Sequence, residues 1–209
     1  MGEHIENKGR LIILTGPSGG GKDRTMNELV ERYGCSRVVT CCAGRPIRVE
    51  EGEQDGIDYH FLSIEEFKES DKRDEFLEWF PYYETLKGTK KGELQRAETE
   101  TLIWRIDPKT AVGAKDLLRE KGLNEIADNA ITIYIGVPDL QTLPRRQRLR
   151  DSATPKEVIF TRMRGDWQNW KEYSDRYDFV VINKDGEFDN TINQVLDIIT
   201  RVPQFAVCG

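Results

Sequence analysis

Leu11-Ile12-Ile13-Leu14-Thr15-Gly16-Pro17-Ser18-Gly19-Gly20-Gly21-Lys22-Asp23-Arg24-Thr25 decides the reading of the whole chain. Four consecutive aliphatic residues, unbroken by polar alternation, predict a strand buried on both faces, as in a parallel sheet. Small and turn-forming residues follow, then a lysine, then helical periodicity over residues 25–33. The spacing of Gly16, four residues, Gly21 and Lys22 is that of a phosphate-binding loop. Glycines let backbone N–H groups converge on an anion, and the helix N-terminus adds positive potential. Lys22 brings a mobile charge for the β and γ phosphates. Gly16, Pro17, Ser18, Gly19, Gly20, Gly21, Lys22, Asp23 and Arg24 are therefore expected to hold a nucleotide's phosphates, which does not by itself name the reaction. A bare glycine turn with a surface lysine is the competing reading, and the joint occurrence of strand, full spacing and helix argues against it. The template has Ser or Thr after the lysine, as a Mg²⁺ ligand. Asp23 stands here, a hard-oxygen ligand that is expected at the metal but brings negative charge near the phosphates.

The 209 residues suit one α/β domain with small insertions. A formal net charge of -6 excludes whole-molecule attraction to nucleic acid or anionic membrane, so basic clusters must be read as local sites. Cys35, Cys41, Cys42 and Cys208 show no metal-ligand spacing, and adjacent Cys41 and Cys42 cannot form an ordinary disulfide, which favours a reducing cytoplasm. No secretory h-region and no run of about twenty apolar residues is present. The expected partners are small-molecule nucleotides, not nucleic acid or membrane, bound by a monomer or homodimer.

Further strands are expected at residues 37–40, 57–62, 101–106, 130–137 and 178–182, with a breaker-rich loop over 41–56. Ser63 to Glu66 has capping-box spacing opening a helix. Residues 75–80 and 82–86 read as short strands around Pro81, and 92–98 as a short helix. Helices are expected at 109–120, from Pro138-Asp139 onward, over 155–173, and in a final amphipathic segment carrying Ile192, Val195, Leu196 and Ile199. This alternation predicts a parallel sheet of about five strands with helices on both faces, plus a small mixed insertion and an Arg-rich lid. The core is expected over 9–40, 99–143 and 174–209, the insertion over 41–98 and the lid over 144–173.

Arg45 and Arg48, three apart in a glycine-bearing loop with Tyr59 beyond, could fork a second phosphate, although two solvated arginines are the blander reading. Glu78, between apolar neighbours, is either an outward strand residue or a reader of guanine. A carboxylate accepts from N1–H and the exocyclic amine of guanine, whereas adenine offers a lone pair at N1. Thr89 could donate to guanine O6.

In this order the pieces resemble the guanylate kinase family over nearly the whole chain. Five segments carry the resemblance: the loop from Gly16 to Lys22; Arg45-Pro46-Ile47-Arg48 with Gly52-Glu53 and the run from Asp55 to Phe61; Glu75 to Trp79; Gly88-Thr89; and Asp178 to Asn183. The second and third are the specific ones. The resemblance implies ATP- and Mg²⁺-dependent phosphoryl transfer to GMP or dGMP. It implies acceptor binding by Arg45, Arg48, Tyr59, Glu78, Thr89 and Asp107, and lid arginines Arg146, Arg150 and Arg162 at the transferring group. Clustered arginines on a helix are also what a solvated face looks like.

Four positions depart from the family pattern. Cys41 or Cys42 replaces a serine, Lys87 a tyrosine, Asp23 the P-loop hydroxyl, and Arg105 an aspartate two residues before Asp107. Cys41 and Lys87 are still expected at the acceptor. Asp23 and Arg105 depart in opposite senses, which suggests a charge exchange across neighbouring strand ends. Two other readings are weighed: a ribose 1,5-bisphosphate kinase-like enzyme, which shares the Lys-Asp pair at the loop end, and a non-catalytic phosphopeptide-binding module.

Overall fold

The computed structural model describes residues 9–82, 84–150 and 155–202. The catalytic expectation for the Arg150 side chain and the thiol of Cys208 lie outside what is described.

Strand β1 (Arg10–Thr15) is buried along its length and lies at the centre of a five-stranded parallel sheet. Its neighbours are β7 (Thr101–Arg105) and β8 (Ile131–Gly136); β2 (Ser36–Arg37) and β9 (Phe179–Ile182) form the edges, in the order β2-β7-β1-β8-β9. Alternation along β1 splits its side chains between two cores. Leu11 and Ile13 join Leu102, Trp104, Ala114 and Leu118 on one face, while Ile12 and Leu14 join Leu29, Ile103, Ile133, Val195 and Ile199 on the other. The first face is covered by α4 (Pro108–Glu120), α5 (Asn124–Asn129) and α7 (Lys156–Tyr173), the second by α1 (Lys22–Tyr33) and α8 (Phe188–Arg201). Both faces are dry, which is why the strand sequence is continuously apolar.

A second, four-stranded mixed sheet stands on the 41–98 stretch, in the order β4-β3-β6-β5. It consists of β3 (Cys41–Ala43), β4 (His60–Leu62), β5 (Phe76–Tyr82) and β6 (Thr85–Lys90). Its own small core packs Cys41, Ala43 and Phe76 against Phe67 of α2 (Ile64–Lys72). Ser63 and Glu66 form the reciprocal capping box that opens α2.

Several boundaries differ from the sequence reading. The strand expected at 37–40 is only Ser36–Arg37, and Cys41–Ala43, placed in a loop by its breaker-rich neighbours, is a strand. Three residues carry too little periodicity to be seen, and pairing with both β4 and β6 forms them. The strand at 57–62 shortens to its last three residues because Gln54 and Asp55 turn the preceding chain back on Asp58 and Tyr59. The helix expected from Pro138 begins at Thr142 as α6 (Thr142–Arg150), where Asp139 Oδ1 accepts from the Thr142 N–H at 3.0 Å. Helix α3 (Lys91–Gln95) precedes a single 3₁₀ turn, and α5 went unforeseen in sequence.

Candidate active site

The glycine loop leaves β1 and enters α1 at the carboxyl end of the central strand, where ligand crevices of open α/β sheets lie. Its shape depends on two glycines. Gly16 has φ 145° and Gly21 φ 102°, and a Cβ on Gly21 would sit 2.2 Å from Asn183 Nδ2. A side chain there meets both strain and collision.

Three loop carbonyls, those of Ser18, Gly19 and Gly20, are tied by side chains from outside the loop. Asn183 Nδ2 donates to Gly20 O at 2.9 Å and Gln147 Nε2 to Ser18 O at 2.8 Å. Arg146 donates to Gly19 O at 3.3 Å and to Asn183 O at 2.9 Å, and it is paired with Asp185. This revises the expectation for Arg146: its guanidinium, mostly buried, braces the back of the loop instead of facing the cleft. Lys22 Nζ donates to Pro17 O at 3.2 Å, within the loop. Arg24 stacks over the Phe188 ring at 3.7 Å, on the α8 side. Arg162 is exposed on α7, close enough to Asp166 for their charges to interact.

Asp23 and Arg105 meet. Arg105 closes β7, in register with Leu14 of β1, and its Nη1 donates to Asp23 Oδ1 at 2.5 Å. The pair is roughly half exposed, so its contribution to stability is about 1 kcal/mol or less. Its local effect is larger: a carboxylate beside the phosphate loop is offset by a guanidinium from the adjacent strand.

The residues expected at the acceptor include several that line a cavity of about 570 Å³, with Gly44, Arg45, Arg48, Tyr59, Thr85 and Lys87 among its walls. Arg45 is mostly buried and makes a forked pair with Glu53, at 2.7 and 2.6 Å. That guanidinium holds the Glu53 carboxyl down at about 2. Glu53 Oε2 also accepts from the Arg48 N–H at 2.9 Å, so one carboxylate sets the geometry of both arginine positions. Lys87 Nζ donates to Tyr59 Oη at 2.9 Å, and Arg45 lies over the rings of Tyr59 and Phe61. The lysine that replaces the family's tyrosine therefore stays in the cavity, joined to the remaining tyrosine. Cys41 is fully buried on the Phe67 side of β3, away from the cavity lining. Cys42, on the opposite face by alternation, is the neighbour of Arg45. The acceptor role expected for Cys41 is not what this register offers, because its thiol fills the small core and burial pushes it up to about 11.

Glu78 and Thr89 face each other across β5 and β6, with Thr89 Oγ1 donating to Glu78 Oε1 at 2.7 Å. Trp104 Nε1 of the main sheet donates to Thr89 Oγ1 at 3.3 Å, so the core of one sheet fixes the hydroxyl of the other. Burial raises the Glu78 pKa above the ordinary carboxylate value, and the nearby charge of Asp107 adds to this. Asp107 is the N-cap of α4: its Oδ1 accepts from the N–H groups of Lys109 and Thr110, both at 3.0 Å. A helix-capping job thus occupies an oxygen of the residue expected to touch the acceptor.

Glu53, Gln147, Asp166 and Asn183 were not singled out from sequence. Glu53 had a signal, as an acid after Gly52 just beyond two arginines. The others act on residues more than a hundred positions away; Asn183 closes the segment from Asp178 that carries part of the resemblance, and no local pattern marks Gln147 or Asp166.

A central parallel strand feeding a phosphate loop, with a second cationic cavity on an inserted sheet, defines a P-loop protein of the nucleotide-kinase type. The guanylate kinase family model matches residues 8–202. Guanylate kinase from Clostridium perfringens is 33% identical over 186 residues, covering 88% of this chain and 80% of that one. The Rickettsia prowazekii guanylate kinase is 33% identical over 204 residues, 97% of each. The crystal structure of guanylate kinase from Anaplasma phagocytophilum superposes with a TM-score of 0.65 at 21% identity, covering 100% of this chain and 91% of that one, a likeness of fold. The chain belongs to the guanylate kinase family.

Proposed function

We propose that the protein transfers the terminal phosphoryl group of ATP to GMP or dGMP, giving GDP or dGDP. The observation that carries the reading is the Glu78–Thr89 pair at 2.7 Å, a carboxylate and a hydroxyl side by side, held by Trp104. Ionised Glu78 accepts from guanine N1–H and the exocyclic amine, and the Thr89 hydroxyl, whose single proton goes to Glu78 here, would turn that proton to O6 once the base fills the Glu78 carboxylate. Adenine, with a lone pair at N1, would set acceptor against acceptor.

The acceptor phosphate is taken by Arg45, Arg48, Tyr59 and Lys87. Its oxygen is already a competent nucleophile near neutral pH, so the protein's task is alignment and charge neutralisation. The loop N–H groups and Lys22 stabilise the donor's phosphates. Arg162 would reach the transferring group from the lid over 144–173, which serves the core over 9–40, 99–143 and 174–209 and the acceptor insertion over 41–98. Arg24 and Asp107 act at one remove, through the α8 packing and the α4 cap.

Mg²⁺ fits the residues present: the ion takes one or two carboxylates and draws its other ligands from phosphates and water. Asp23 would hold it, with Arg105 limiting the excess negative charge. When bound, the ion screens the polyphosphate charge. Among the described residues no helix is long and apolar enough to cross a membrane, and we read the protein as cytoplasmic, acting as a monomer or homodimer.

The test is an acceptor panel of GMP, dGMP, AMP and ribose 1,5-bisphosphate with ATP. Preference for the guanine nucleotides supports the proposal. Preference for the sugar phosphate, or tight ATP binding with no transfer, overturns it.

A further inference from the structure

We propose that Asp166 sets the affinity for the phosphoryl donor, because its carboxylate occupies the loop amide that the donor's terminal phosphate requires. The inference rests on the glycine loop being the donor site, and goes beyond it. Asp166 lies midway along α7, and its Oδ2 accepts from the Ser18 N–H at 3.2 Å. The Pro17–Ser18 peptide cannot turn away from this contact. Its carbonyl, on the other side, accepts from the Gly20 N–H at 3.0 Å and from Lys22 Nζ at 3.2 Å. Burial raises the Asp166 pKa above the ordinary carboxylate value, while the bond from the Ser18 N–H and the charges of Lys22 and Arg162 pull the other way and favour the ionised form. A loop amide is thus bonded to this carboxylate, and the charges of the loop lysine and of Arg162 act on it from further off, the kinds of group a terminal phosphate would take.

The contact is held in place by packing. One turn further along α7, Trp170 lies against Tyr134 of β8 at 4.9 Å between ring centroids, and Tyr134 stacks on Tyr177 at 4.8 Å. Asp166 also lines a cavity of about 340 Å³ with Pro17, Pro138 and Trp167, so leaving the loop means giving up the Ser18 N–H and turning the side chain into that cavity. The Ser18 N–H cannot serve carboxylate and phosphate together, and two anions in one cradle repel. Donor binding thus carries the cost of displacing Asp166, and the cost couples the loop to α7.

The experiment is calorimetric titration of the full chain with ATP and with ADP, in excess Mg²⁺ and without acceptor. Asp166→Asn keeps the shape and removes the charge; Asp166→Ala removes both. Asp116→Asn, on the exposed face of α4, controls for the loss of one negative charge. The expected result is about tenfold tighter ATP binding for both Asp166 variants, the scale of one charge-assisted hydrogen bond. The gain should be smaller for ADP and absent in the control. Unchanged or weaker ATP binding, or an equal gain for both nucleotides, overturns the proposal, and weaker binding would make Asp166 a brace or a metal ligand. Because no acceptor is present, the result is independent of the acceptor panel, and either reading can fail without the other.

Discussion

The donor loop is made of backbone and the acceptor cavity of side chains. Around the loop, Asn183, Gln147 and Arg146 bind carbonyls, leaving peptide N–H groups as the working surface. In the cavity, guanidinium, ammonium, phenol and carboxylate groups meet in pairs, Arg45 with Glu53 and Lys87 with Tyr59, and Thr89 meets Glu78 between the two neighbouring strands. Peptide groups are the same in every residue, so a backbone site constrains only where glycine must be. A side-chain site can exchange members if a donor of similar reach is kept, and Lys87, where the resemblance implies a tyrosine, would be such an exchange, a cation for a neutral phenol. The Asp23–Arg105 pair sits at the border, a side-chain exchange attached to a backbone site.

If the comparison is right, the largest loss comes from the loop's own lysine. Lys22→Ala should lower kcat by about 10³-fold or more with every acceptor, since a charge at the transferring group acts in the transition state. Steady-state rates with GMP and dGMP check it, and a loss confined to one acceptor would break the division between the two regions.

Arg45→Ala comes next. It removes the forked cation and leaves Glu53 as an uncompensated carboxylate in the cavity, so KM for GMP should rise about 10- to 100-fold with KM for ATP little changed. A parallel rise in both KM values would mean that the cavity and the loop are not separate sites.

Glu78→Gln should cut the preference for GMP over AMP about tenfold while leaving phosphate binding intact. The wild-type preference should also depend on pH. Burial raises the Glu78 pKa above 4.5, so on acidification the carboxylate gains its proton, and guanine its mismatch, at a higher pH than an ordinary glutamate would. The ratio of kcat/KM for GMP to that for AMP cancels the titration of the acceptor phosphate. A ratio flat down to the ordinary glutamate range would remove Glu78 from base reading.

The smallest effect sharpens the border. Asp23→Ser and Arg105→Asp should each impair turnover more than the double variant does, with a coupling on the order of 1 kcal/mol for a half-exposed pair. Strict additivity would show that the two departures are unrelated.

Much of the fold was legible because its signals are local. The aliphatic run of β1, the loop spacing and the capping box at Ser63 each lie within a few residues, and the structure has them where the pattern says. β3 was missed because Cys41–Ala43 is a strand only by virtue of its two partners. The same register sends Cys41 inward and Cys42 toward Arg45, a choice that a one-residue shift would reverse.

By itself the sequence determined that a phosphate loop follows a buried strand and that a second cationic cluster lies downstream, since glycine spacing and residue chemistry survive unfolding. Only the tertiary structure decided which groups answer one another. Asp23 with Arg105, Asp166 with Ser18, and Trp104 with Thr89 are joined by packing across elements. The physical reason is range: backbone preferences act over a few residues, whereas a hydrogen bond between distant residues exists only once two faces have been pressed together by burial.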